Sequence, residues 1–474
     1  MPQPRYVLLI TTDQQRFDSL PSYGADFAIT PNLDRLAAQG VVFDRCYVPA
    51  PVCAPTRASI MSGQFPSAHG VIDNVSWLQP GIPKWTDAAR AAGYRTAAIG
   101  KMHFAPWDLM EGFEERITCE DKRHFYIPDD HAQFMKEHGI DRPHPKDVPG
   151  YFESCGAPDF PFAPELHPDA FIAERSAAWI EQNAAESFAL WVSFVGPHDP
   201  YDPPAQYSQL YADTGIPAPI PAPDDPARAP SYRAQSAVQP GVENSVFRVD
   251  ATAATPQQIA QWRRHYFGSI TLIDEGIGRI MDSLNRAGIL EQTLIIFTSD
   301  HGDALGDHGM VFKSFFYEPM VHVPLIVRDG HHRGRRAALT GTLDVVAYLH
   351  ELFGQTPDSP VQGRSIGPLL QDKDAAINDY VFSEMRDRVM VFDGRYKYIH
   401  AQDGQHELYD LANDHYELHN IVDDQPLQPQ MGELRAALIA HQMESTKLHG
   451  ERRRTVAYAP RLQMEQEYRK ERQH

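Results

Sequence analysis

Short apolar runs alternate with amphipathic stretches through the first three-quarters of the chain. Residues 6–11 (YVLLIT) form a continuous apolar run just ahead of Asp13, the pattern of a strand buried on both faces. Residues 31–40 (PNLDRLAAQG) read as a helix with a proline at its start and a glycine at its stop. Residues 87–92 close another helix, and 94–100 follow as a strand. Residues 169–183 are helical, and 188–195 (FALWVSFV) form a second long apolar strand. A long amphipathic helix over 256–287 leads into a strand at 293–298 (TLIIFT). Strands separated by helices predict an α/β fold with a mostly parallel central sheet flanked by helices.

Two stretches break this alternation. Residues 105–168 are rich in Pro, His and aromatic residues, and residues 199–250 are rich in Pro and Ala. Loops this long in a compact domain are walls or lids of a functional site more often than plain surface insertions. After about Val381 the pattern shifts. Residues 389–392, an Asp393-Gly394 turn and residues 395–399 predict a hairpin, and residues 406–411 add a strand. A helix near 431–448 closes this part. The expected division is a catalytic domain over 1–380, with inserted loops near 105–168 and 199–250, and a smaller C-terminal antiparallel-sheet subdomain and tail over 381–474. The basic tail at 451–474 is either a frayed end or an arm that grips another subunit in a homo-oligomer.

Composition narrows the function. The 474 residues are 42% hydrophobic and 22% charged, enough for a large core. The net charge of -20 argues against nucleic acid and anionic membrane as partners. Any anion site must therefore be assembled locally from a few Arg, Lys and His side chains. The apolar run at 6–10 is too short and wrongly flanked for a signal peptide or membrane span, so a cytoplasmic location is expected. Cys46, Cys53, Cys119 and Cys155 show neither metal-ligand spacing nor a disulfide framework. Buried free thiols are expected at Cys46, Cys119 and Cys155.

In parallel α/β sheets, sites form beyond the carboxyl ends of the strands. Four predicted strands end in polar residues here: Asp13-Gln14, Lys101-Met102-His103, His198-Asp199, and Asp300-His301-Gly302-Asp303. Asp13, Gln14, Asp300 and His301 offer oxygen donors and one imidazole to a divalent cation. That donor set suits Ca²⁺, with Mg²⁺ or Mn²⁺ as alternatives. Singly, each acid reads as a helix cap; jointly, strand ends from one sheet favour a metal. Cys53 lies in Pro51-Val52-Cys53-Ala54-Pro55-Thr56-Arg57. Pro55 and the residues after it predict a helix start. Residue 53 then sits where free N–H groups favour an anion, and Arg57, one turn along, can reach back to it.

The Cys-x-Pro-x-Arg pentad from Cys53 to Arg57 resembles the maturation motif of type I sulfatases, whose cysteine is oxidised to the aldehyde Cα-formylglycine. Gly93 to His103 (GYRTAAIGKMH) resembles the second signature of that family. Ser299-Asp300-His301-Gly302 and Lys313 resemble its late metal and lysine motifs, and Pro324-Leu325-Ile326 and Tyr396-Lys397-Tyr398 fit its usual tail. The resemblance implies an alkaline-phosphatase-like fold, formylglycine at Cys53 made by a formylglycine-generating maturation enzyme, and a cation held by Asp13, Gln14, Asp300, His301 and the modified Cys53. Many relatives carry two adjacent acids where this chain has Asp13-Gln14, and some have Asn where His301 stands. Gln14 is therefore the least secure ligand.

The same resemblance assigns roles. Arg57 orients the hydrated residue 53, Lys101 and Lys313 hold the sulfate oxygens, His198 protonates the leaving oxygen, and His103 serves the second hydroxyl. Asn74 matches a substrate contact in some relatives and serves equally well as a turn residue. Relatives that hydrolyse phosphonate monoesters or phosphodiesters use the same nucleophile and metal. They lack the Gly-Lys-x-His run found here at Gly100 to His103, which favours sulfate. A non-catalytic scaffold on this fold would have lost part of the set, yet all six catalytic candidates are present. The expected substrate is a small anionic sulfate ester: aryl, alkyl, choline or saccharide. Trp77, Trp107 and Tyr201 either stack on its organic half or simply pack.

Overall fold

Every residue of the first strand, β1 (Tyr6–Asp13), is buried, and its alternate side chains feed two different cores. Val7 and Leu9 join one apolar cluster, Tyr6, Leu8 and Ile10 the other. That is the geometry of a strand in the middle of a sheet covered on both faces. The computed structural model describes residues 3–222, 254–354, 361–448 and 456–457. The further strands are β2 (Val41–Tyr47), β3 (Ser76–Trp77), β4 (Arg95–Gly100), β5 (Glu115–Thr118), β6 (Phe188–Pro197), β7 (Thr293–Ser299), β8 (His322–Arg328), β9 (Gly334–Arg336) and β10 (Thr340–Gly341).

The nine-stranded main sheet runs β10-β2-β8-β7-β1-β6-β4-β5, with β9 paired to β2. β1, β4, β5, β6 and β7 are mutually parallel. Among the described strands of this sheet, β8 alone runs against its neighbours. It carries Pro324, which has no N–H for the ladder. The register with β2 shifts there, from Phe43 opposite Leu325 to Cys46 opposite Val323. Helices flank this sheet, including Pro31–Gln39, Pro168–Asn183 and the long helix Pro256–Arg286. Among the described residues, no helix is long and apolar enough to cross a membrane.

The stretch at 105–168 is not all loop. It supplies β5, the edge strand of the main sheet, and the helix Asp130–Glu137. Both are short and embedded among Pro and His residues, so neither shows a clear period. Residues 223–250 of the second stretch lie outside the described residues. Most of the tail at 451–474 does too; its described part, β15 (Val456–Ala457), pairs antiparallel with β3 of its own chain.

The expected hairpin forms within a second, antiparallel sheet of β11 (Val381–Glu384), β12 (Arg388–Phe392), β13 (Tyr396–Ala401) and β14 (Glu407–Asp410). The helix Gln428–Lys447 covers it over Val391, Tyr398, Leu408, Met431, Leu434 and Leu438. Lys397 of β13 is fully buried and points back to the main body. Its Nζ lies 2.6 Å from Glu318 and 2.7 Å from Glu417, and it donates to the carbonyl of Phe316 at 3.1 Å. Glu318 carries the matching charge: burial alone would raise its carboxyl, but Lys397 and His322 hold it at about 2. Burial pushes Glu417 up to about 7.

Gly100 ends β4 with φ of 103°, and a Cβ there would stand 2.0 Å from the carbonyl oxygen of Ser193 on β6. This close approach is what turns Lys101 inward. Gly100→Ala is expected to destabilise the fold by about 2–4 kcal/mol, because neither the backbone angle nor the neighbouring carbonyl can give way. Urea unfolding measures it, and an Ala variant as stable as the parent would contradict the packing described here.

Candidate active site

Four adjacent parallel strands, β7, β1, β6 and β4, bring their carboxyl ends to one edge. They deliver Asp300, Asp13, His198 and Lys101. The helix Cys53–Ser62 runs in beneath them with Val52 as its extended N-cap and all ten of its residues buried. Pro55 sits in its first turn, where no N–H is missed. Asn74 Oδ1 accepts from the N–H of Ala54 at 3.0 Å, so Asn74 serves this helix start directly.

Arg57 binds the edge together. Its guanidinium donates from Nε to Asp300 at 2.9 Å, from one terminal nitrogen to Asp13 at 3.0 Å, and from the other to Ser193 Oγ at 2.9 Å and to the carbonyl of Lys101. Lys101 Nζ lies 2.7 Å from Asp13 and 3.0 Å from Asp121. All of these side chains are buried. Burial alone would push the Asp13 carboxyl up, but Lys101, His198 and Arg57 beside it hold it well below the usual carboxylate range. Burial would likewise lower Lys101, and Asp121 and Asp13 raise it instead.

The Cys53 sulfur lies 3.2 Å from His301 Nε2 and 3.7 Å from Asp13 Oδ1, and accepts from Lys313 Nζ at 2.9 Å. Burial, then the Asp13 carboxylate, push its thiol up to about 11. Lys313 Nζ also lies 2.8 Å from Gln14 Oε1 and 2.7 Å from His198 Nε2. His198 Nδ1 is 2.6 Å from the carbonyl of Asp199, so the hydrogen belongs on Nδ1 and the Nε2 lone pair faces Lys313. Burial, then Arg123, Lys313 and Lys101, push His198 well below its usual range. His103 follows Lys101 with φ of 59°; its N–H donates to Glu120 at 3.1 Å, and its buried ring lies edge-on to His124 at 5.9 Å.

Asp13, Cys53, Asp300 and His301 offer ligand atoms that all lie within 4.8 Å of one another. The donor set fits a divalent cation. Arg57 and Lys101 engage Oδ2 of Asp13, and Arg57 engages Oδ2 of Asp300, so Oδ1 of each carboxylate is clear of those cations; Asp300 Oδ1 accepts from the N–H of Gln14 at 3.0 Å and has a second lone pair to offer. His301 Nδ1 is 2.9 Å from the carbonyl of Gly302, which directs the Nε2 lone pair to the cluster. Gln14, with φ of 71°, has its amide fixed by Asp303: Nε2 donates to Asp303 Oδ2 at 2.6 Å, which turns Oε1 toward Lys313. Tyr201 donates to the same Asp303 oxygen at 2.6 Å.

Of the residues expected from sequence, the structure gathers Asp13, Gln14, Cys53, Arg57, Lys101, His198, Asp300, His301 and Lys313 around one point. Trp77 and Tyr201 are buried, Trp77 against Phe104 at 4.7 Å, so both pack into the body. Sequence reasoning missed Asp121 and Arg123, and named Asp303 at a strand end without giving it a role. Their signals were a charged run, Glu120-Asp121-Lys122-Arg123, inside an otherwise Pro- and aromatic-rich stretch, and the second acid of Asp300-His301-Gly302-Asp303.

Comparison with known proteins agrees with this geometry. A family model described as Sulfatase matches residues 5–355, and one described as N-sulphoglucosamine sulphohydrolase, C-terminal, matches residues 306–444. The choline-sulfatase of Rhizobium meliloti (strain 1021) is 32% identical over 439 residues, covering 88% of this chain and 82% of that protein. The arylsulfatase of Clostridium perfringens (strain 13 / Type A) is 29% identical over 472 residues, covering 91% of this chain and 93% of that protein. Among solved structures, the phosphonate monoester hydrolase of Agrobacterium radiobacter superposes with a TM-score of 0.78 at 26% identity, covering 93% of this chain and 96% of that one.

Arg57 gives the first test of the charge network. Arg57→Ala leaves Asp13 and Asp300 facing each other in the interior, and is expected to cost about 3–5 kcal/mol of stability. Arg57→Lys should recover only a small part of it, because a compact ammonium cannot span both carboxylates. Denaturant unfolding of the three proteins measures both effects; an Ala variant within error of the parent would remove Arg57 from its central place.

Proposed function

The chain belongs to the sulfatase family, and from that premise we propose that it cleaves sulfate esters through a formylglycine formed at Cys53, assisted by a divalent cation at Asp13, Asp300, His301 and residue 53, with Gln14 as the further ligand that the family resemblance implies. It is a sulfuric ester hydrolase. Ca²⁺ is the proposed ion, ahead of Mg²⁺ and Mn²⁺, because oxygen donors dominate the set. The observation that carries the formylglycine reading is the place of Cys53: first residue of a buried helix, with Lys313, His301 and Asp13 converging on its sulfur. A thiol pushed up to about 11 is a poor nucleophile at neutral pH. Conversion to a hydrated aldehyde supplies two hydroxyls at the same carbon instead.

The cation, when bound, supplies Lewis acidity that favours the ionised hydroxyl and draws charge from a sulfate oxygen. Arg57 fixes Asp13 and Asp300 around residue 53. The hydroxyl of residue 53 attacks sulfur in line while Lys101 and Lys313 hold the sulfuryl oxygens. His198 delivers a proton from Nε2 to the leaving oxygen as the ester S–O bond breaks. The negative charge of a substrate beside Arg123, Lys313 and Lys101 offsets those cations, so His198 takes up that proton together with substrate. His103 then receives the proton of the second hydroxyl, the C–O bond to sulfate breaks, and the aldehyde is restored with release of sulfate.

The choline-sulfatase and arylsulfatase relatives support small sulfate esters, aryl and choline among them, as the substrate class. A second reading, phosphonate monoester hydrolysis, is favoured by the backbone likeness to an enzyme of that activity. The Lys101-His103 pair supports sulfate: a compact ammonium can answer charge on a sulfuryl oxygen, and His103 can serve the second hydroxyl.

Two experiments test these readings. Cys53→Ala should abolish hydrolysis of an aryl sulfate while the protein still folds. Cys53→Ser should fail too, because a lone hydroxyl forms a sulfate ester it cannot expel; full turnover in either variant sinks the mechanism. In the second, wild type should show the higher kcat/KM on a sulfate ester than on a phosphonate monoester with the same leaving group. Lys101→Ala should lower sulfate turnover by about 10²–10³-fold. A better rate on the phosphonate would hand the substrate assignment to the second reading.

A further inference from the structure

We infer that Arg123, held by Asp121, is a positioning residue for His198. The inference rests on the sulfatase reading above, in which His198 protonates the leaving oxygen. Neither Asp121 nor Arg123 belongs to the strand ends or the nucleophile helix; both follow edge strand β5.

Asp121 is fully buried and saturated. Its Oδ1 accepts from the backbone N–H of Arg123 at 2.9 Å and from Arg123 Nε at 3.0 Å. Its Oδ2 accepts from Arg123 NH2 at 2.9 Å and from Lys101 Nζ at 3.0 Å. A guanidinium held fork to fork by a carboxylate two residues back has one orientation. In that orientation NH2 also reaches His198 Nε2 at 2.9 Å, and NH1 lies 3.5 Å from Asp199. The imidazole is thus held at both nitrogens, Nδ1 by the carbonyl of Asp199 and Nε2 by Arg123 and Lys313. Ring plane and tautomer are both fixed.

The two cations at Nε2 differ in their other duties. Lys313 also touches the Cys53 sulfur and Gln14, so it is committed to the nucleophile and the sulfate. The described contacts of Arg123 are carboxylates and His198. Arg123 also feels the charge of residue 53 and shares Asp121 with Lys101, so the contact that sets it apart is the one to His198, where it aims Nε2 at the position a leaving oxygen takes opposite residue 53; the leaving-group comparison below separates that effect from a direct one on the sulfate. Misplacement of a proton donor by a fraction of an ångström is costly to the step it serves. The cost grows with the basicity of the departing oxygen, because a poor leaving group needs its proton more.

The test compares nitrophenyl sulfate, a good leaving group, with phenyl sulfate, a poorer one. Rates are counted per molecule carrying formylglycine, measured by intact mass, in wild type, Arg123→Gln, Arg123→Lys, His198→Ala and the Arg123→Gln/His198→Ala double variant. Arg123→Gln should lower phenyl sulfate turnover by about 10²-fold and nitrophenyl sulfate turnover by less than about 10-fold. In the His198→Ala background the same change should add no further loss on phenyl sulfate. Arg123→Lys should recover part of the phenyl sulfate rate. Equal losses on both esters, or full additivity with His198→Ala, overturn the inference and leave Arg123 a structural residue. Should Arg123→Gln fail to fold by thermal melting, Arg123→Lys carries the same leaving-group comparison. Wild type inactive on both esters refutes the sulfatase reading itself, an outcome distinct from an unchanged leaving-group ratio.

Discussion

A single buried guanidinium organises the carboxyl edge of the sheet. Arg57 has no exposed surface, and its donors go to Asp13 on β1, Asp300 after β7, Ser193 on β6 and the carbonyl of Lys101 after β4. Taking one charge out of water costs several kcal/mol, and here two carboxylates must follow it inside. That is tolerable only if the four strand ends meet within hydrogen-bonding reach of one side chain. The parallel order β7-β1-β6-β4 is the arrangement that allows it. The helix Cys53–Ser62 completes the constraint, because the turn that carries Arg57 to the carboxylates also carries Cys53 to the same point.

The opposite side of the centre is held from a distance. Lys313 stands between Phe312 and Ser314, whose φ values of 65° and 82° are left-handed for non-glycine residues. Such backbone persists only where the surroundings over-determine it. They do so here: the N–H of Ser314 donates to Pro51, just ahead of the nucleophile helix, at 3.1 Å. Lys397, from the antiparallel sheet, grips Phe316 and Glu318 on the same loop. A buried lysine in the C-terminal part thus steadies a lysine that contacts Cys53. This gives a physical reason for the place of Lys397, far along the chain from the lysine it steadies.

Much of this was legible in the chain because the central strands are continuous apolar runs that stop at polar residues. Residues 6–11, 188–195 and 293–298 announce both the strand and the position of Asp13, His198 and Asp300. The proline and arginine after Cys53 announce the helix start. Other features were hidden for equally physical reasons. β5 is four residues at the edge of the sheet, half-exposed and without a clean period, so nothing local singles out Asp121 and Arg123 after it. The direction of β8 depends on which strands it joins, which no local pattern encodes. Trp77 and Tyr201 looked able to stack on a substrate; their burial is a tertiary outcome that aromatic identity alone does not decide.

Sulfate esters and phosphonate monoesters, the two substrate classes weighed above, pose nearly one problem. Each presents a tetrahedral centre, one negative charge and a leaving oxygen. In the proposed reaction a chain of net charge -20 would meet that demand with Arg57, Lys101, Arg123 and Lys313, which it concentrates at one edge. Part of that positive charge is answered by Asp13, Asp300 and Asp121, which keeps the surplus small and suits a monoanion better than a dianion. Total charge therefore does not separate the two substrates. Placement does. Lys101 is pinned between Asp13 and Asp121 and cannot follow a larger or differently substituted centre without breaking buried ion pairs. Selectivity between the two esters should then reside in that pinned ammonium, rather than in the proposed nucleophile and cation ligands, which both chemistries would share.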